Sequence, residues 1–157
     1  MSEQQQAATA AELYRIIRHV RPLYRHLYRA VEDNLAGSGV SVMMRAVMEE
    51  LNEQGPRTVP QIGRGLALPR QFAQRSVNDL RRLGLVERKA NPAHRRSWLV
   101  RLTDRGRITF AAIMRREAAV LDGVAGDLQA DEVAACRRVI AHMARSFATL
   151  NDKENRT

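Results

Sequence analysis

RTVPQIGRGLALPRQFAQRSVNDLRRLGLVERKANPAHRRSWLVRLT, from Arg57 to Thr103, is the stretch whose reading decides the fold. It opens on Thr58-Val59-Pro60-Gln61. This is a capping box, in which Thr58 caps a helix, Gln61 reaches back to the Thr58 N–H, and proline is tolerated in the first turn. The short helix so begun runs to about Gly65-Leu66. Pro69 opens a second helix that ends at Gly84, with Phe72, Val77, Leu80 and Leu83 expected inward. Its other faces carry Arg70, Gln71, Gln74, Arg75 and Asn78. Leu85 to Ala90 and Ser97 to Leu102 then read as two strands, joined by the turn-like basic loop Asn91-Pro92-Ala93-His94-Arg95-Arg96. Helix, tight link, helix and basic-tipped hairpin make a winged helix-turn-helix.

Outward from this stretch the chain is helical. Leu13, Ile16, Ile17, Val20, Tyr24, Leu27, Tyr28, Val31 and Leu35 recur at steps of three and four, one apolar stripe on a helix of roughly residues 10–35. Pro22 should kink it and Gly37-Ser38-Gly39 end it. A further helix carries Val42, Met43, Ala46, Val47 and Leu51 up to Gly55-Pro56. After the strands, Thr103 caps a helix with Ile108, Ala111, Ala112, Met114, Ala118 and Leu121. The last helix shows Val133, Cys136, Ile140, Met143, Phe147 and Leu150, a coiled-coil-like seam. The expected class is mainly α with a small β wing, in a single subunit of residues 1–157. Residues 39–103 form the winged head, and residues 10–36 and 104–151 the flanking dimerisation helices. The head is too small to cover both flanking stripes. Leu13, Ile16, Ile17, Val20 and the Val133–Leu150 seam are therefore expected at a homodimer interface. Residues 1–10 and 151–157 are expected to be disordered.

Charge points to the partner. Arg57 to Arg107 holds 13 Lys and Arg against 3 Asp and Glu, a net of +10, whereas the whole chain carries +9. A basic block between near-neutral arms marks one surface for a polyanion, most simply a phosphate backbone. Arg70, Gln71, Gln74 and Arg75 suit base edges, because Arg pairs bidentately with guanine and Gln with adenine. Thr58, Gln61 and Arg64 from the short helix, with Asn78 and the wing residue His94, join them as candidate contacts. Arg88, Lys89 and Arg101 suit phosphates, and Arg95 and Arg96 suit the minor groove, where negative potential attracts arginine.

Leu83-Gly84-Leu85-Val86-Glu87-Arg88, then Asn91-Pro92-Ala93-His94-Arg95-Arg96, then Leu99-Val100-Arg101-Leu102-Thr103 to Gly106 resemble the wing of MarR-type regulators. The flanking helices match that family's dimerisation helices in order and length. The resemblance implies a homodimer on a pseudo-palindromic operator in double-stranded DNA, often released by a small phenolic effector. It implies an effector pocket near Arg15, His19, Met43, Val47 and Met48, and gives Arg96 the minor-groove role. Two positions depart from the family. The wing commonly reads Asp-x-Arg where this chain has His94 and Arg96, and Leu68-Pro69 replaces a side-chain cap before the second helix.

The function read from these features and the resemblance is a dimeric, sequence-specific transcription regulator, with a sequence-independent architectural DNA binder as the alternative. The regulator is expected to repress a nearby promoter and to be released by a small phenolic or aromatic acid. An enzyme is not indicated. Gly63-Arg64-Gly65 is too short for a phosphate loop, and no nucleophile, base and acid converge. No Cys/His spacing suits a metal, no cofactor is implied, and the one cysteine, Cys136, reads as a small buried core or interface residue. Met43, Met44, Met48 and Met114 read as core filler, and Trp98 as an anchor of the wing to the head. Met1 to Ala10 is polar, and no run approaches the ~20 apolar residues of a membrane span. The expected location is cytoplasmic, with no membrane partner.

Overall fold

The computed structural model describes residues 2–94 and 96–154, apart from the side chains of 152–154. Its order is α1 (Glu3–Leu35), α2 (Val42–Gln54), α3 (Val59–Gly65), α4 (Arg70–Arg82), β1 (Val86–Ala90), β2 (Trp98–Leu102), α5 (Asp104–Ala125) and α6 (Ala130–Glu154). It divides into two compact units, residues 1–118 and 119–157, the division falling within α5.

In the first unit, α1 starts earlier than its apolar stripe. Ser2 caps it by accepting from the Gln5 N–H, so the expected disorder of residues 1–10 does not hold for the described ones. Once a helix is nucleated, each further good helix former adds a hydrogen bond without a new nucleation cost, so an apolar face is not needed. Pro22 lies inside α1 without ending it. Gly37 and Gly39, at φ +76° and +72°, supply the left-handed turn into α2. At the other end of the chain α6 reaches Glu154, so residues 151–154 are helical, and 155–157 lie outside the described residues.

The core gathers Met44, Val47, Met48 and Leu51 from α2, Ile62 from α3, and Ala73, Val77 and Leu80 from α4. Leu85, Val86, Val100 and Leu102 of the wing join them, with Phe110 and Ile113 of α5. On α4 the buried positions are Ala73, Ser76, Val77 and Leu80, at steps of three and four. Phe72, expected inward, sits one residue off this seam and is 50% exposed; Leu83 is exposed too. One residue is ~100° of helical rotation, enough to leave the core. Met44 and Met48 are core as expected, but Met43 and Met114 are exposed.

The wing pairs antiparallel, from Val86 opposite Leu102 to Ala90 opposite Trp98. Arg57 adds an isolated bridge to Val100, with N–H···O bonds of 3.0 and 2.7 Å. The wing closes onto α5 through Thr103. Its Oγ1 accepts from the Gly106 N–H (3.0 Å) and donates to the Gly84 carbonyl (2.8 Å). α2 and α5 are clamped by Arg45, which donates to Glu117 at 2.8 and 2.5 Å and also pairs with Glu49. The Glu117 and Glu49 carboxylates hold this guanidinium above its ordinary pKa, against the opposing effect of burial.

In the second unit, α6 has no buried residue among those described. Cys136, expected as a small buried core or interface residue, is exposed within the chain and so is not part of its core. A seam along one helix face is covered only where a second apolar face meets it.

Candidate nucleic-acid interface

The head is built from local capping upward. The Thr58 N–H donates to Gln61 Oε1 (2.8 Å) and the Gln61 N–H to Thr58 Oγ1 (3.4 Å), which closes the capping box. Gln61 therefore spends its carbonyl on the cap and keeps its amide N–H groups. The link from α3 to α4 is tight. The Leu68 N–H donates to the Gly63 carbonyl at 2.7 Å, and a Cβ on Gly63 would lie 3.1 Å from the Leu68 oxygen. Ala67 takes a left-handed φ of +51° to make the turn. Pro69 then starts α4 with no side-chain cap, as the sequence indicated.

Between α3, α4 and the wing lies an open cleft of about 520 Å³. It brings together eight of the candidate DNA contacts: Thr58, Gln61, Arg64, Arg70, Gln74, Arg88, His94 and Arg96. Gln71 and Arg75 are exposed on α4, outside the cleft lining, and Lys89 is exposed on β1. Asn78 is half-buried and accepts a 3.1 Å hydrogen bond from Gln74 Nε2. Arg95 lies outside the described residues.

Ion pairing sorts the cations of the basic block. Arg57, Arg82, Arg101 and Arg107 all meet carboxylates. Among the described residues, no ion pair engages Arg64, Arg70, Arg75, Arg88, Lys89 or Arg96. Un-neutralised like charges repel one another in the free protein, so a face that keeps them is fitted to an anionic partner. Arg101, a candidate phosphate contact, is held by Glu87 across the strands at 2.6 Å.

Sequence reasoning missed part of this cleft. Trp98, expected to anchor the wing, lines the cleft and is 55% exposed. It shares a strand face with buried Val100 and Leu102 but lies beyond the Arg57–Val100 bridge, where the core ends. Val59, Pro60, Asn91 and Ser97 also line the cleft. Their only sequence signal was proximity to cap and turn residues.

The other candidate sets fall elsewhere. Val47 and Met48 have no exposed surface, Met43 is 37% exposed, and Arg15 and His19 are exposed on α1, where Arg15 pairs with Glu12 at 2.5 Å. Of the interface set, Ile16, Ile17, Val20, Val133, Cys136, Ile140, Phe147 and Leu150 are exposed, and Leu13 and Met143 are half-buried.

Fold and site together define a winged helix-turn-helix protein of the DNA-binding class. Similarity to known proteins narrows the class. Residues 38–97 match the MarR family model. The crystal structure of the MarR family transcription regulator SP03579 is 34% identical, covering 94% of this chain and 98% of that one, at a TM-score of 0.81. The uncharacterized protein Rv2011c of Mycobacterium tuberculosis is 33% identical over 132 residues, 84% of this chain and 92% of its own length. The chain belongs to the MarR family of transcription regulators. Two more distant structures share the fold. FabT of Streptococcus pneumoniae, solved in complex with DNA, is 20% identical, covers 88% and 99% of the two chains, and has a TM-score of 0.73. Staphylococcus aureus MarR, solved with salicylate and kanamycin, is 13% identical, covers 91% and 97%, and has a TM-score of 0.79. No helix among the described residues is long and apolar enough to cross a membrane.

Proposed function

We propose that this protein is a homodimeric repressor that binds a pseudo-palindromic operator and is released by a small aromatic acid. The observation that carries the DNA reading is the convergence of Arg64, Arg70, Arg88 and Arg96 on one cleft between α3, α4 and the wing, with no carboxylate among the described residues of its lining. Arg75 and Gln71, exposed on α4, read base edges in the major groove. Arg64, Arg70, Arg88 and Lys89 hold phosphates, and Arg96 enters the minor groove. Two heads joined through the apolar stripes of α1 and α6 meet half-sites about one turn, roughly 34 Å, apart. Occlusion of the promoter follows from occupancy.

The complex of FabT with DNA supports this assignment by fold, and that of Staphylococcus aureus MarR with salicylate supports the effector class. An effector acts only through its different affinity for the bound and released spacings. Arg15 or His19, exposed on α1, would supply its carboxylate partner; Met43 faces Tyr28 and Glu32 instead, and Val47 and Met48 are fully buried and offer the effector no surface. Calorimetry against a panel of phenolic acids tests this, and absence of heat with unchanged operator affinity removes the effector.

Sequencing of genomic fragments captured at near-physiological salt tests the DNA reading. Enrichment of a few promoters sharing an inverted repeat supports it. Capture in proportion to fragment length supports the sequence-independent binder instead. Arg75→Ala separates the two on purified DNA, because a base contact is worth ~1–3 kcal/mol on the operator alone, whereas loss of a phosphate contact weakens all DNA equally.

A further inference from the structure

Trp98 is the one large aromatic side chain of the cleft, and its placement follows from strand geometry. Side chains at 98, 100 and 102 share one face of β2; Val100 and Leu102 are buried by the core, while Trp98 projects past it. Its partner across the wing is Ala90, too small to cover an indole. No hydrogen bond among the described residues uses the indole N–H. The residue is left 55% exposed in a cleft whose lining includes Arg64, Arg70, Arg88 and Arg96. An apolar plate ringed by cations without carboxylate partners suits a chain of alternating sugars and phosphates, whose sugars present apolar edges and whose phosphates take the charges.

We propose that Trp98 is an affinity-determining residue of the interface. The DNA strand passing from major to minor groove lies in this cleft, its deoxyribose edges pack on the indole, and the indole N–H donates to a phosphate. The inference rests on the DNA-binding reading above and assigns one residue a role that the arginines do not cover.

Trp98 is the only tryptophan of the chain, so emission reports on this cleft alone. The test uses the full-length protein and a labelled mixed-sequence duplex of about 30 base pairs at low salt, where phosphate-driven binding is strongest. Anisotropy of the duplex reads binding, and acrylamide quenching reads access to Trp98. The expected result is a bound complex in which quenching falls several-fold. Trp98→Ala is expected to bind about 10-fold more weakly, in the range of single aromatic contacts to nucleic acid. Its salt slope should stay that of the wild type, because neither an apolar contact nor a neutral N–H donor neutralises a phosphate and releases its counterion. Arg64→Ala should lower the slope by about one ion.

Binding with unchanged quenching overturns the role of Trp98 while leaving the DNA reading in place. A reduced salt slope in Trp98→Ala likewise overturns it, since the substitution would then be acting through the arginines. No anisotropy change for the wild type at low salt overturns both. If Trp98→Ala fails to fold, quenching in the wild type and the affinity of Trp98→Phe decide the matter.

Discussion

Gly106 gives the sharpest test of how the wing is held. It is the third residue of α5, and a Cβ built on it would lie 2.0 Å from the Leu85 carbonyl oxygen, 3.0 Å from that carbonyl carbon and 3.4 Å from Leu102 Cδ2. A relaxed C···O contact is ~3.3–3.6 Å, so Gly106→Ala forces helix and strand apart by more than about 1 Å. The nearest wall is backbone and cannot rotate away. The same displacement stretches the Thr103 N–H···O bond to Leu85 (3.0 Å) and the Thr103 hydroxyl bond to Gly84 (2.8 Å). Overpacking of this kind costs ~1–3 kcal/mol and each weakened hydrogen bond up to ~1, against a helix-propensity gain of ~1. The net is a loss of about 4 kcal/mol at the upper end of these ranges. At ~2–4 °C per kcal/mol for a chain of this size, Tm falls by up to roughly 8–16 °C. Gly123 lies in the same helix, with nothing within 4 Å of the place its Cβ would take. There the same substitution keeps only the propensity gain, about 1 kcal/mol and a Tm higher by roughly 2–4 °C. Thermal unfolding by circular dichroism, at one protein concentration for all variants, reads both signs. A Gly106→Ala protein as stable as the wild type would refute the packing of α5 on Leu85.

Ala67 holds a left-handed φ of +51°, so Ala67→Gly should raise stability by about 1 kcal/mol, where glycine usually costs stability; denaturant unfolding with an unchanged m-value checks it. Glu117→Gln leaves the mostly buried Arg45 with Glu49 as its remaining carboxylate. It should cost ~2–3 kcal/mol, less than the full penalty for an unpaired buried charge. The double variant Arg45→Met, Glu117→Leu should recover most of that loss, and failure to do so would mean that the pair itself, not the orphaned charge, sets the energy. Ile140→Glu places a charge on the exposed seam of α6. Sedimentation should then show a monomer and the operator complex should be lost, whereas a variant that stays dimeric would move the interface elsewhere.

Elements written in local chemistry were legible in the sequence. The capping box at Thr58 and Gln61, the glycine turn at 37–39, the Thr103 cap and the wing strands all came through within a residue or two. Each depends on neighbours a few positions away, and a short-range pattern survives whatever the rest of the chain does. Phe72 was misplaced because helical periodicity locates a stripe only to within a residue, and α2 and the wing decided which side chain was covered. The Arg57–Val100 bridge joins two segments far apart in the chain through a single pair, too little to leave a periodic trace.

The candidate site divides along the same line. Its basic character was countable from the sequence, because charge is a property of residue type. Which arginines remain available was decided only in three dimensions. Arg101 is neutralised by Glu87 and Arg57 approaches Glu50, while Arg64, Arg70, Arg88 and Arg96 meet around one cleft. Trp98 became part of that cleft for the same reason. The sequence determines which groups a chain has and how they alternate; where the core stops, and so which groups it leaves to a partner, depends on contacts between segments far apart in the chain.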